Sequence, residues 1–261
     1  MRPAFIGTSW KMNKTLAQAM VFTNGLLQWT GDATRVQPFV VPPFTVLRDV
    51  ARALSKTPVW VGAQNMHWEE AGAHTGEISA PMLRDCGAVL VEIGHSERRA
   101  SCGETDETVG LKVATALRHG LRPLVCVGET AQQKENGQTE EVLRRQVQAT
   151  LRHVVDHNGA NDMVFAYEPV WAIGEDGEPA NPDYANTWQE FIGTVGQSLT
   201  GCRPTCLYGG SVNQNNCAEL LAQPAVDGLF IGRAAWDVDG FLTILQSSAE
   251  VWAHKTKETA S

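Results

Sequence analysis

The chain has 261 residues, of which 43% are hydrophobic and 19% charged, a composition that supports a sizeable folded core and excludes a disordered chain. Its 29 acidic residues outnumber the 21 basic ones, and the formal charge of −8 argues against broad binding to nucleic acid or to anionic membranes. The six cysteines are irregularly spaced and form no CxxC pair, which is typical of reduced thiols. The sequence has no uncharged apolar run of about 18 residues, and its N-terminal apolar run is too short for a signal peptide. We therefore expect a cytoplasmic protein.

Eight short apolar or β-branched runs, each followed by a segment of helical character, predict eight strand-then-helix units. The predicted strands are Ala4–Ser9, Val36–Val41, Val59–Gln64, Ala88–Ile93, Pro123–Val127, Met163–Tyr167, Thr205–Tyr208 and Gly228–Ile231. Apolar residues at three- and four-residue spacing predict helices most clearly at Leu16–Trp29, Thr108–Arg118, Thr139–Val155, Tyr184–Leu199 and Cys217–Leu221.

This alternation predicts a parallel sheet, because parallel strands need crossover connections. Eight units in about 250 residues fit a closed (β/α)8 barrel, the TIM-barrel architecture, better than an open doubly wound sheet. No Pro/Ser-rich linker or detailed repeat interrupts the series. We therefore expect one α/β domain over residues 1–261, with a parallel eight-stranded core.

Three ionisable residues follow predicted strands directly: Lys11 after the first, His95 after the fourth and Glu168 after the sixth. In a closed barrel these positions converge on one mouth, where such folds carry their catalytic groups. A single group of this kind is usually solvated or structural, but three at convergent positions favour a catalytic site. A carboxylate base, a histidine donor and a lysine cation suit proton abstraction beside a carbonyl, with stabilisation of an enediolate oxygen. Metal-dependent hydrolysis fits less well, since no second carboxylate or histidine stands at ligand spacing.

Glycine-rich turns follow the sixth, seventh and eighth strands, at Gly174, Gly209-Gly210-Ser211 and Gly232. Each alone is consistent with a tight strand-to-helix turn. Glycine also lets backbone N–H groups approach an anion closely, and a phosphate beside the last two strands is recurrent in these barrels. Together the turns favour a phosphorylated ligand.

Four segments, in the expected order and spacing over essentially the whole chain, resemble the signatures of the triosephosphate isomerase family. They are Trp10-Lys11-Met12-Asn13, Gly94-His95-Ser96-Glu97-Arg98-Arg99, the stretch from Ala166 to Gly174, and Tyr208-Gly209-Gly210-Ser211-Val212.

The resemblance implies Glu168 as the catalytic base, His95 as a neutral electrophile, Lys11 as a cation near the substrate oxygens and Glu97 as a supporting carboxylate. It implies phosphate contacts from Gly174, Gly210, Ser211 and Gly232, and a closing lid that begins with Pro169, Val170, Trp171, Ala172 and Ile173. It further implies no cofactor and no metal. A homodimer is also implied, in which the loop Asn65–Ser79, with Thr75 at its tip, inserts beside the neighbour's first and fourth loops.

The sequence departs from the family pattern at three places around the substrate. Ser9 stands where the family has an asparagine that contacts the substrate, so either a water or a larger substrate fills the gap. Arg233 replaces the second glycine after the eighth strand, and its guanidinium either approaches the phosphate or points to solvent. The lid tip, residues 175–182, contains three acids and two prolines, and the prolines restrict the closing hinge.

These departures leave the acid–base residues intact and are similar to a branch of the family that isomerises four-carbon erythrulose phosphates. The favoured reaction is L-erythrulose 1-phosphate to D-erythrulose 4-phosphate, and the alternative is the three-carbon glycolytic reaction between glyceraldehyde 3-phosphate and dihydroxyacetone phosphate. Two less favoured alternatives are an aldolase that forms a Schiff base through Lys11 and a non-catalytic phosphosugar sensor.

Overall fold

In the computed structural model, residues 2–154, 162–174 and 177–258 are described, and eight parallel strands close into a barrel in sequence order. The strands are β1 (Ala4–Ser9), β2 (Val36–Val41), β3 (Trp60–Ala63), β4 (Leu90–Ile93), β5 (Arg122–Val127), β6 (Val164–Tyr167), β7 (Thr205–Tyr208) and β8 (Gly228–Ile231). Each strand pairs with the next, and β8 pairs with β1, from Phe5 opposite Gly228 to Thr8 opposite Ile231. The predicted (β/α)8 barrel is confirmed.

Three predicted strands, β3, β4 and β6, are longer than the observed ones, and β6 begins at Val164 instead of Met163. β3 pairs through only two residues with each neighbour, so it begins at Trp60 and ends at Ala63 rather than running from Val59 to Gln64. The Gln64 side chain instead donates to the backbone oxygens of Lys11 and Val41, at 2.9 and 3.1 Å. β4 likewise begins at Leu90 instead of Ala88.

Helices follow the strands and surround the barrel. They are α1 (Leu16–Leu26), α2 (Phe44–Leu54), α3 (Ala80–Asp85), α4 (Ser96–Ser101), α5 (Asp106–Arg118), α6 (Ala131–Glu135), α7 (Thr139–Leu151), α8 (Pro182–Thr200), α9 (Cys217–Ala222) and α10 (Val238–Glu258). Within the described ranges, no helix is long and apolar enough to cross a lipid bilayer.

Several helix ends also differ from the sequence-based bounds. α1 stops at Leu26 rather than Trp29, because the N–H groups of Gln28 and Trp29 bond three residues back in tight turns. α7 ends at Leu151, and Val155, where its predicted end lay, is outside the described residues. α8 begins at Pro182, two residues before its predicted start, with Asn181 as a side-chain N-cap. Pro182 therefore opens a helix, a position that suits its fixed φ, and does not act within the lid hinge.

Two apolar cores follow from the alternation of side chains along the strands. Outward-facing residues such as Ile6 and Val40 pack against the helices. Inward-facing residues fill the barrel itself: Phe5, Phe39, Val41, Leu90, Leu124, Cys126, Val164, Ala166, Leu207 and Phe230. Because this interior is packed, a ligand of the barrel is expected at the ends of the strands and not along its axis.

Candidate active site

A cavity of about 420 Å3 opens at the carboxyl ends of the strands. Every residue that the sequence placed in catalysis or substrate binding lines it: Ser9, Lys11, His95, Glu97, Glu168, Gly174, Gly210, Ser211, Gly232 and Arg233. Among the described residues, no three His, Cys, Asp or Glu side chains are grouped to hold a metal ion. The convergence of Lys11, His95 and Glu168 follows from their positions just beyond β1, β4 and β6.

Glu168 is a buried carboxyl group at the end of β6, with 4% of its surface exposed. Its backbone N–H donates to Val127 O at 2.8 Å, which fixes the backbone position from which the side chain extends. Burial, and next the negative charge of Glu92, raise the pKa of Glu168 to about 8. Its Oε2 has no hydrogen-bond partner and lies 3.5 Å from His95 Nε2. A carboxylate so placed has the basicity and the free lone pairs that a general base needs.

Gly209 makes room for Glu168. A Cβ at this position would lie 2.7 Å from Glu168 Cγ and 2.9 Å from its Oε1, closer than ordinary contact. The glycine after β7 is thus needed by the carboxylate that follows β6.

His95 caps the N-terminus of α4, where its Nδ1 accepts a hydrogen bond from Glu97 N at 3.2 Å. An accepting Nδ1 places the ring proton of a neutral imidazole on Nε2, the nitrogen that faces Glu168. Burial, and next the positive charge of Lys11, lower the pKa of His95 to about 4. The ring is therefore neutral near pH 7 and offers an N–H donor to the cavity.

Lys11 and Glu97 also line the cavity and form an ion pair, with Lys11 Nζ 2.6 Å from Glu97 Oε1. Burial alone would raise the pKa of Glu97, but the hydrogen bond from Lys11 and the adjacent charges lower it. Lys11 has a positive φ of 52°, uncommon for a residue with a side chain, and the Gln64 amide holds its carbonyl oxygen. Backbone strain of this kind concentrates at functional sites.

Arg233 is among the residues that line the cavity. Its Nη2 donates to the carbonyl oxygen of Gly174 at 2.7 Å. Gly174 has a φ of 96°, a left-handed conformation that glycine adopts without strain. A positive charge therefore joins the end of the lid to the glycine turns where the sequence predicts a phosphate.

The lid segment is held on both sides of the mouth. On one side, Glu129 Oε1 accepts hydrogen bonds from Trp171 Nε1 at 2.8 Å and from the Tyr184 hydroxyl at 3.0 Å. On the other, Ala180 N donates to the Tyr208 hydroxyl at 3.3 Å. Val170–Ala172 forms a short 3-10 helix between them. Glu175 and Asp176, two of the predicted acids at the lid tip, lie outside the described residues.

The loop Asn65–Ser79 projects from the end of β3, and its residues 69–77 are exposed, including Thr75. The loop packs on itself, since the His67 ring stacks on Trp68 and on His74 at 4.1 and 4.3 Å. Close to the active-site lysine in sequence, Met12 is also 96% exposed.

Glu92 is the main site residue that the sequence analysis missed. It lies on β4, only 3% exposed, and its Oε2 accepts a hydrogen bond from Ser9 Oγ at 2.8 Å. Burial raises the pKa of Glu92 to about 7, although the Ser9 hydrogen bond and Lys11 lower it. The signal was present in the sequence, because a glutamate shares the inward positions of β4 with the buried Leu90.

Comparisons with known proteins agree with this geometry. Residues 4–248 match the triosephosphate isomerase family. A protein of Mesorhizobium japonicum named L-erythrulose-1-phosphate isomerase is 57% identical over 242 residues, which cover 92% of this chain and 95% of that protein. Proteins of the same name are 55% identical in Brucella abortus (95% and 98% covered) and 56% identical in Rhizobium meliloti (94% and 96% covered).

Proposed function

The chain belongs to the triosephosphate isomerase family, and from this premise we propose that it converts L-erythrulose 1-phosphate to D-erythrulose 4-phosphate. The family that the four motifs indicated is confirmed, and with it isomerase chemistry on a small sugar phosphate. The observation that carries the proposal is the buried Glu168 carboxylate, whose Oε2 has no hydrogen-bond partner and lies 3.5 Å from Nε2 of a neutral His95. The four-carbon substrate is supported by the relatives' names and by Ser9.

The proposed reaction moves the carbonyl from C2 of the substrate to C3. Glu168 removes the proton from C3, which leaves a 2,3-enediolate, and returns a proton to C2. The oxygen proton moves from O3 to O2, so no atom is gained or lost. His95 donates its Nε2 proton to the oxygen that develops charge, and Lys11 supplies a positive charge beside it.

The phosphate is assigned to the turns after β7 and β8. Backbone N–H groups at Gly210, Ser211 and Gly232 bind the anion, and Arg233 adds a positive charge. The lid covers the site and excludes water, which strengthens the electrostatic contacts to the enediolate. An aldolase reaction through a Lys11 Schiff base fits less well, because Lys11 Nζ is paired with Glu97 at 2.6 Å.

Steady-state assays of both substrates with the same preparation test the proposal. We expect a higher kcat/KM for L-erythrulose 1-phosphate, with residual triose activity, because one missing carbon is worth only about 1–3 kcal/mol of binding. Turnover of glyceraldehyde 3-phosphate near the diffusional ceiling of about 10⁸ M⁻¹s⁻¹, with none of the erythrulose phosphate, would identify a glycolytic triosephosphate isomerase instead.

The proposal includes a homodimer located in the cytoplasm. The exposed loop around Thr75 and the exposed Met12 support a dimer, since a second subunit would cover both and support Lys11. The cysteines are all free thiols, including the exposed Cys102, which supports a reducing compartment.

A further inference from the structure

A carboxyl group lies inside the barrel without a part in the reaction steps above. Glu92 faces inward from β4, two residues after the inward-facing Leu90, and is almost completely buried. Burying an ionisable group in apolar surroundings is unfavourable unless it is hydrogen-bonded. Glu92 accepts its hydrogen bond from Ser9, which lines the cavity, so Glu92 lies directly behind the cavity wall.

The hydrogen bond between the two residues determines what Ser9 can offer a ligand. Ser9 ends β1 and Glu92 lies on β4, so the bond of 2.8 Å crosses the barrel between strands that are not neighbours. A serine hydroxyl has one proton and two acceptor lone pairs. When Glu92 is ionised, the Ser9 hydroxyl donates its proton to Glu92 and presents only acceptor lone pairs to the cavity. The ligand group that suits it is a donor, such as an alcohol hydroxyl.

The proposed four-carbon substrate carries one hydroxyl that a three-carbon substrate lacks. Its phosphate lies at the β7 and β8 turns, and its reacting carbons lie between Glu168 and His95. The additional hydroxymethyl group is attached to the reacting carbon farther from the phosphate, and it needs both space and an acceptor. Lys11 and Glu97 are paired with each other, whereas the short Ser9 side chain offers both the space and the acceptor.

We infer that Ser9 binds the terminal hydroxyl of the four-carbon substrate and that Glu92 is a positioning residue that keeps Ser9 an acceptor. This inference rests on the proposed function and deepens it. Ser9 is thus the contact that distinguishes the two substrate lengths, and Glu92 acts through Ser9 without touching the substrate.

Four variants assayed on both substrates test the inference: Ser9→Ala, Glu92→Met, the double variant and Glu92→Gln. Ser9→Ala and Glu92→Met should each lower kcat/KM for L-erythrulose 1-phosphate about 10- to 100-fold, and for glyceraldehyde 3-phosphate less than about threefold. The double variant should be no worse than the single ones, since both remove the same contact. Glu92→Gln keeps an oxygen that accepts from Ser9, so it should recover most of the four-carbon activity.

Equal losses on both substrates, or losses that add in the double variant, would overturn the inference and leave Glu92 a structural residue. Thermal unfolding of each variant separates loss of folded protein from loss of selectivity. Wild-type protein that does not turn over L-erythrulose 1-phosphate overturns the proposed function and this inference together. Wild-type turnover with variants that do not discriminate between the substrates overturns this inference alone.

Discussion

Gly209→Ala should damage catalysis by displacing the base, without adding any polar group. The new methyl carbon would stand 2.7 Å from Glu168 Cγ, so the side chain must retreat by about 0.7 Å to restore an ordinary contact of 3.4 Å. The Glu168 backbone has no room to move toward Gly128, which follows β5, because a Cβ at Gly128 would already overlap with Glu168 O.

A misplacement of about 1 Å in a catalytic group can lower a rate by about 10²-fold, so we expect kcat to fall about 10- to 100-fold. The proposed phosphate contacts at Ser211 and Gly232 are not displaced by this change, so KM should change much less than kcat. Gly232→Ala is the matched comparison, because its new methyl group has no atom within 4 Å and extends into the cavity. That variant should raise KM more than it lowers kcat.

Steady-state kinetics of the two glycine variants, with thermal unfolding to confirm that each is folded, measure this difference. A Gly209→Ala variant with more than half of the wild-type kcat would refute the argument that Gly209 exists to accommodate Glu168. A loss confined to KM would refute it as well, since that result would place the damage in phosphate binding.

Three further changes test other parts of the site. Glu168→Gln keeps the side-chain volume and removes its basicity, so kcat should fall at least about 100-fold, and retention of more than a tenth of wild-type kcat would exclude Glu168 as the base. The pKa of Glu168 is raised to about 8, so kcat/KM should fall as the pH drops below that value. Glu92→Gln removes a neighbouring negative charge and should move this acid limb of the pH profile to lower pH. An acid limb that stays in place or moves to higher pH would contradict the effect of the Glu92 charge on Glu168. Shortening the loop Asn65–Ser79 should give a monomer of low activity by sedimentation and kinetics, whereas a fully active dimer would contradict the proposed interface.

The barrel was predictable because its signals are local and repeated. Each strand is a short apolar run before a helical period, and eight such units leave few alternatives to closure. The convergence of Lys11, His95 and Glu168 follows from the same rule, since every strand ends at one mouth. Strand ends were less predictable, because the extent of β3 depends on its stagger against both neighbours rather than on Val59 or Gln64 themselves.

Contacts between segments far apart in the chain could not be predicted from the sequence. The hydrogen bond of Arg233 to the carbonyl oxygen of Gly174, 59 residues away, is one such contact. Glu92 looked like part of a core strand, since nothing local indicates that Ser9 would lie opposite it. Such pairs depend on how strands are arranged around the barrel, which local patterns do not encode.

The most direct test of the central claim follows a labelled carbon through the reaction. L-Erythrulose 1-phosphate with ¹³C at C2 is incubated with the wild-type protein, and the labelled carbon is observed by NMR. Isomerisation through a 2,3-enediolate predicts that the ketone signal is replaced by that of a hydroxyl-bearing carbon while the phosphate ester stays intact. A label that remains a ketone, under conditions in which the same preparation isomerises glyceraldehyde 3-phosphate, would contradict the four-carbon function.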